Sequence, residues 1–278
     1  MLQTPDPSGF VRAMAPALRQ AASIARALEG RVANRPKKGE STAVKAALTV
    51  ADSACQEAVL VRLREAFPEI SLEAEEETPL VSEFAAGADS LVVIDPIDGT
   101  LRFYLEGMGP YGVLIGLAIG GEYRAALVAL PREGYVFEAS RGGGASFEPS
   151  DGVVSRPAEL QRRGERVLVS PDLPEPALEV LRAGGLDPTP ACGGAVSVAP
   201  LIPGVRAGLR LVLGEAPQLS TRGRIGALIA AEAGALVRIE GGEPLPSQIR
   251  APARALLVAC DERDMGLLEK ALAAGLGA

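Results

Sequence analysis

The 278-residue chain contains no histidine and no tryptophan. Without histidine there is no Ser-His-Asp or Cys-His catalysis, no imidazole metal site and no phosphohistidine chemistry. Acid–base work falls to carboxylates, lysine, tyrosine, or water on a metal. Cysteine is also scarce. Cys55, Cys192 and Cys260 are odd in number and far apart, with no CxxC pair, so neither a zinc cluster nor a disulfide framework is expected. Lysine occurs at only 37, 38, 45 and 270 among 28 basic residues. The apolar runs, such as 112–119, are far shorter than the ~20 residues of a spanning helix, and no membrane partner is expected. No early segment combines a basic start, an apolar run and a cleavage site. These features predict a soluble cytoplasmic protein. A net charge of −7 argues against nucleic acid as the main partner.

What is present is an ordinary globular composition, 47% hydrophobic and 23% charged, with enough length for a sizeable core. Helical periodicity runs from about 9 to 28 and from 50 to 67, with Gly30 and Pro68 as stops. The segment 69–90 is acidic and reads as loop. Strand patterns follow at 91–94, 112–119, 122–130 and 134–139, and Gly120-Gly121 marks a hairpin. The glycine cluster RGGGAS at 141–146 closes this half. Beyond it, strands at 166–170, 205–213, 235–239 and 255–259 interleave with helices near 175–183, 222–234 and 262–275. The class is mixed α/β, layered sheets and helices, with a division near 150. The expected division gives residues 1–148 the acidic residues of the site and 149–278 the shaping of the substrate site.

The stretch LVVIDPIDGT at 91–100 runs from a buried-strand pattern straight into two aspartates, Asp95 and Asp98. Aspartate and glycine are ordinary turn residues, and such a turn alone is structural more often than functional. Two other acidic groups change the balance: Asp52 on the second helix, and the run Glu73, Glu75, Glu76 and Glu77, about twenty residues before Asp95. Converging carboxylates suit a hard divalent cation, which takes oxygen ligands alongside substrate phosphate. The N–H groups of Gly99 and Thr100 could then face a phosphate. The aspartates are three apart, not two as in DxDGT, which disfavours an aspartyl-phosphate mechanism.

DPIDGT resembles the signature of the inositol monophosphatase family of Mg²⁺-dependent, lithium-sensitive phosphatases. LTVADSACQEAV resembles the family's T-x-x-D helix. FPEISLEAEEE resembles the stretch ending in Gly-Glu-Glu, with Ala74 in place of the glycine. EAGALV at 232–237 and GGAVSVAP at 193–200 resemble its E-A-G-G and G-S-A-A stretches more loosely. The resemblance implies an αβαβα sandwich and a phosphatase acting on a small phosphomonoester, such as an inositol, sugar or nucleotide phosphate. It also implies two or more Mg²⁺ ions, with Mn²⁺ as a substitute, and a homodimer. Residue by residue, it implies that Glu75, Asp95 and the Ile97 carbonyl hold a first metal. Asp95 and Asp98 hold a second, and Thr100 hydrogen-bonded to Asp52 orients a metal-bound water.

The chain departs from this pattern at one point. The family's late Asp, which follows a Trp about ten residues before E-A-G-G, falls here on Thr221-Arg222. No aspartate lies between Pro188 and Cys260, although Glu215 could substitute if its loop folds back. Arg222 would hold phosphate with its forked donors, or simply point to solvent. The alternative reading is a catalytically weak or silent relative that binds phosphate or metal in a regulatory role. Lys37 and Lys38 read as a solvated loop, or as one that closes over phosphate.

Overall fold

The computed structural model describes residues 4–149, 156–161, 164–214 and 217–277. Helix α1 (Pro7–Leu28) starts where the Asp6 carboxylate accepts the Gly9 N–H at 2.7 Å and Pro7 sets φ for the first turn. Phe10, Met14, Leu18, Ala21 and Ala25 recur three to four apart and are buried. After the short α2 (Ala43–Ala46), α3 (Val50–Ala66) opens with a capping box. Thr49 Oγ1 accepts from Ala51 N at 3.0 Å, and Asp52 Oδ2 accepts from Thr49 N at 2.8 Å.

Helices α1 and α3 pack together on one face of a seven-stranded sheet in sequential order. Its strands are β1 (Ser71–Glu73), β2 (Ser90–Asp98), β3 (Gly112–Ile119), β4 (Glu122–Leu130), β5 (Tyr135–Ser140), β6 (Gly144–Pro149) and β7 (Arg156–Pro157). Only β1–β2 is parallel. The β3–β4 hairpin turns on Gly120 and Gly121, both at positive φ (60° and 78°), as such a turn demands.

The second sheet has the order β11-β12-β10-β8-β9. It comprises β8 (Arg166–Val169), β9 (Asp187–Pro190), β10 (Val205–Leu211), β11 (Leu236–Arg238) and β12 (Ala255–Ala259). Helices α4 (Glu175–Ala183) and α7 (Glu262–Leu276) cover one face, burying Leu181, Leu209, Leu257 and Leu268 together. Helices α5 (Gly193–Ser197) and α6 (Ile225–Glu232) lie between the sheets, touching β3, β4 and β5 on one side and β10, β11 and β12 on the other. The order of layers is α, β, α, β, α. Close packing of the middle layer requires a glycine on β3: a β-carbon on Gly116 would fall 2.5 Å from the Tyr123 ring and 3.0 Å from Ile225 Cγ1.

Two departures from the sequence reading bear on the site. The acidic 69–90 segment is not wholly loop, since β1 adds a parallel strand beside β2. The helix expected over 222–234 begins as a 3₁₀ turn, Arg222–Arg224, before α6.

Candidate active site

The site forms where β2 runs out. Its ladder with β3 is regular to Asp95↔Leu114, then shifts register before Asp98↔Gly112. Pro96 lies in that shift, with no N–H to give the ladder. Gly99 then turns left-handed (φ 91°, ψ 37°) into a π-helical turn, Thr100–Leu105. A β-carbon there would lie 2.5 Å from the Phe103 ring and 3.1 Å from Cys192 Cβ, so only glycine fits both the backbone and the space.

Thr100 Oγ1 lies 2.9 Å from Asp52 Oδ1 and 3.0 Å from the Ile97 carbonyl. Its single proton serves one of them at a time. Asp52, 1% exposed, also accepts the Thr49 hydroxyl at 2.7 Å. Its pKa is raised, chiefly by burial and further by Glu75, against the lowering effect of the Thr49 and Thr100 hydrogen bonds. Asp98 Oδ2 accepts the Gly194 N–H at 2.5 Å, which ties the turn to α5. Asp95 is 5% exposed, and its Oδ1 has no hydrogen-bond partner. Burial, then repulsion from Glu75 and Asp98, pushes its pKa well up, with Arg222 working in the other direction.

Arg222 therefore does not point to solvent. Its Nε stands 3.8 Å from both Glu75 Oε2 and Asp95 Oδ2. Burial works against its charge, but Glu75, Asp95, Glu73 and Asp98 more than offset this and raise its pKa. The Tyr123 hydroxyl donates to the Thr221 carbonyl at 2.9 Å, and Thr221 donates its own hydroxyl to Glu73, so the turn carrying Arg222 is anchored on both sides.

Most of the acidic run is held, while Glu77 is exposed to solvent. Glu73 takes Arg250 at 2.7 Å, and Glu76 takes Lys37 at 2.9 Å. Gln56 grips the Glu76 backbone through its amide, 2.6 Å to the carbonyl and 3.0 Å from the N–H. Lys37 is thus committed to Glu76. Burial raises the Glu76 pKa to about 7, with Lys37 opposing. Glu232, in the E-A-G-like stretch, binds the N–H groups of Gly142 and Gly144 at 2.9 and 3.1 Å and takes no part in the site. Glu215 lies outside the described residues.

The donor types fit a hard cation: carboxylates, a backbone carbonyl, and an Asp95 oxygen buried without a partner. Yet among the described residues no three His, Cys, Asp or Glu side chains gather closely enough to hold an ion. A guanidinium, that of Arg222, stands beside Glu75 and Asp95. One further side chain, Arg210, was not singled out in the sequence. Its Nη1 is buried without a partner beside Gly193 and Gly223. Sequence carries no signal for it, because an arginine on a strand gives no sign of what it faces.

Comparison with known proteins bears on the family and the fold. A sequence model described as "Inositol monophosphatase family" matches residues 9–170. A histidinol-phosphatase from Chlorobaculum parvum is 34% identical over 112 residues, which is 40% of this chain and 41% of that protein. A fructose-1,6-bisphosphatase/inositol-1-monophosphatase from Thermotoga maritima is 33% identical over 132 residues, 48% of each chain. The matched segments thus span less than half of these curated relatives. The crystal structure of the extragenic suppressor protein SuhB from Bartonella henselae superposes with a TM-score of 0.72. It covers 94% of this chain and 98% of that one at 18% identity, a likeness of fold alone. No helix among the described residues is long and apolar enough to cross a membrane.

Proposed function

From the premise that the chain belongs to the inositol monophosphatase family, we propose that it is a metal-dependent phosphatase of small phosphomonoesters with Arg222 as a built-in cation. The observation that supports this most is the combination of an orphaned, buried Asp95 oxygen with Arg222 beside the same carboxylate. The site presents more negative charge than it neutralises, and a divalent cation with a phosphate completes it.

In this reading Glu75, Asp95, Asp98 and the Ile97 carbonyl would hold Mg²⁺, or Mn²⁺ in its place. The bound ion supplies Lewis-acid stabilisation of phosphoryl charge and makes water a better nucleophile. Arg222 favours fewer ions than a two-metal centre. When a phosphate enters, its forked donors are suited to swing from the carboxylates to the phosphate oxygens. Gly99 and Thr100 add backbone N–H groups to the same oxygens. Thr100, donating to Asp52, turns its lone pairs to the attacking water and orients it. Asp52 accepts that hydrogen bond and, with its raised pKa, is suited to share a proton with Thr100 as the water loses one. The first half of the chain supplies the carboxylates and Thr100, and the second half adds Arg222 and the Gly194 N–H that holds Asp98.

The test is phosphate release from a panel of phosphomonoesters in Mg²⁺, with Asp95→Asn and Thr100→Ala alongside. Loss of at least 100-fold in each is expected, and release indifferent to both substitutions counts against the assignment. A second reading, a binding or regulatory relative without turnover, is favoured by the missing late aspartate. Turnover abolished by Asp52→Asn rules that reading out.

A further inference from the structure

A cavity of about 450 Å³ lies among α6, β11 and the segment 244–249, a size ordinary for a small-molecule site. None of the carboxylates of the candidate active site lines it, nor does Thr100 or Arg222. Its walls are largely apolar, with Ala227, Leu228 and Ala231 on α6, Val237 on β11, and Leu245 and Ile249 opposite. The charged residues on the walls are all arginines: Arg141, Arg224 and Arg238.

The three are not alike. Arg238 is neutralised, with nitrogens 2.6 Å from Glu262 and 3.0 Å from Glu269. Arg141 is exposed and spends its Nε on the Tyr123 carbonyl at 3.0 Å. Arg224 is 2% exposed. Its Nη2 donates to the Ala251 carbonyl, while Nε and Nη1 are buried without a hydrogen-bond partner. Glu240 exerts some pull on it but is committed elsewhere, accepting the N–H groups of Arg254 at 3.0 Å and Ala255 at 2.9 Å. A buried guanidinium short of acceptors is costly. Arginine has no neutral form to retreat to, so what is missing is an anion. Water would satisfy the N–H groups but leave the charge unpaired.

We propose that this cavity is a binding site, separate from the candidate active site, for a small molecule with an apolar body and a carboxylate head. The head pairs with Arg224 and Arg141, and the body lies on α6, β11 and Leu245. A carboxylate suits the walls better than a phosphate dianion, because the other donors there are already engaged. The Tyr123 hydroxyl donates to the Thr221 carbonyl at 2.9 Å, and the Ser247 hydroxyl to Glu122 at 2.9 Å. The site does not rest on the phosphatase reading, since neither metal nor phosphate enters it.

Isothermal titration with Mg²⁺ present tests this, using 4-phenylbutanoate and octanoate, each against its neutral amide. At least one acid is expected to bind on the order of 10-fold or more tightly than its amide. Inorganic phosphate, added as a competitor for the candidate active site, is expected to leave that affinity unchanged. Arg224→Met, which replaces the cation by an apolar chain of similar volume, is expected to bring acid and amide to equal affinity. Ala231→Phe, which fills the cavity and leaves the arginines in place, is expected to weaken both, and it serves if Arg224→Met fails to fold. No binding of either acid, equal affinity of both acids and their amides, displacement by phosphate, or a preference that persists undiminished in both variants overturns the site.

Discussion

Replacing Arg222 with alanine is expected to tighten Mg²⁺ binding while weakening phosphate binding. The guanidinium stands 3.8 Å from Asp95 Oδ2 and from Glu75 Oε2. An ion on the far oxygen of Asp95 would lie on the order of 6 Å away, given Mg–O distances near 2 Å. At that separation a unit charge repels a divalent ion by about 1.4 kcal/mol in water and about 5.5 kcal/mol at an effective dielectric constant of 20. The Arg222 side chain is 27% exposed, so an intermediate value of about 2–3 kcal/mol is appropriate, or roughly 30- to 150-fold in affinity. One effect runs the other way. Arg222 holds down the already raised pKa of Asp95, and without it a proton competes better with the metal. Calorimetric titration at several pH values separates that competition from the charge repulsion, because only the competition weakens as pH rises. Arg222→Lys, which retains the charge, serves as control. Metal affinity in Arg222→Ala that is unchanged or weaker than wild type would refute the view that Arg222 acts as a resident cation.

Three more outcomes follow from the same geometry. Asp52→Asn and Thr100→Ala act on one hydrogen bond, so the double variant is expected to lose little more activity than the worse single one; additive losses in kcat would separate their roles. Glu76, with a pKa raised from 4.5 to about 7, binds its proton more tightly folded than unfolded. Its contribution to stability is therefore present below pH 4.5 and lost as pH rises through 7. In metal-free buffer the stability of Glu76→Gln relative to wild type is expected to rise across that window, by at most about 3 kcal/mol in urea unfolding; a flat difference would show that Lys37 fully compensates the burial. All three cysteines are buried, and burial raises the Cys55 thiol to about 12 and Cys192 well above the ordinary range. A thiol reagent at pH 8 is expected to label the native protein slowly and the unfolded protein fast; rapid native labelling would contradict this burial.

The centre of the site was legible because it is local. LVVI is apolar enough to mark a core strand, DPIDGT supplies its own turn chemistry, and Thr49 and Asp52 sit at capping-box spacing. The hidden parts depend on long-range pairing. Strand β1 has only three residues and ends on Glu73, so its parallel ladder with β2 leaves no periodicity to read. Lys37 looks like a loop charge until the fold sets it against Glu76, thirty-nine residues away. Arg206 and Arg210 look alike on one strand. Only the tertiary structure gives Asp264 to the first and leaves the second between two glycines. The missing late aspartate was visible by counting, but where Arg222 points was not, because a guanidinium at a helix start has solvent as its ordinary destination.

The measurement that bears most directly on the central claim is phosphate release by the wild-type chain, titrated with Mg²⁺ and then with EDTA. The account predicts release that rises with Mg²⁺ to saturation, returns to background on chelation, and is absent in Asp95→Asn. No release from any substrate at any Mg²⁺ or Mn²⁺ concentration would contradict it.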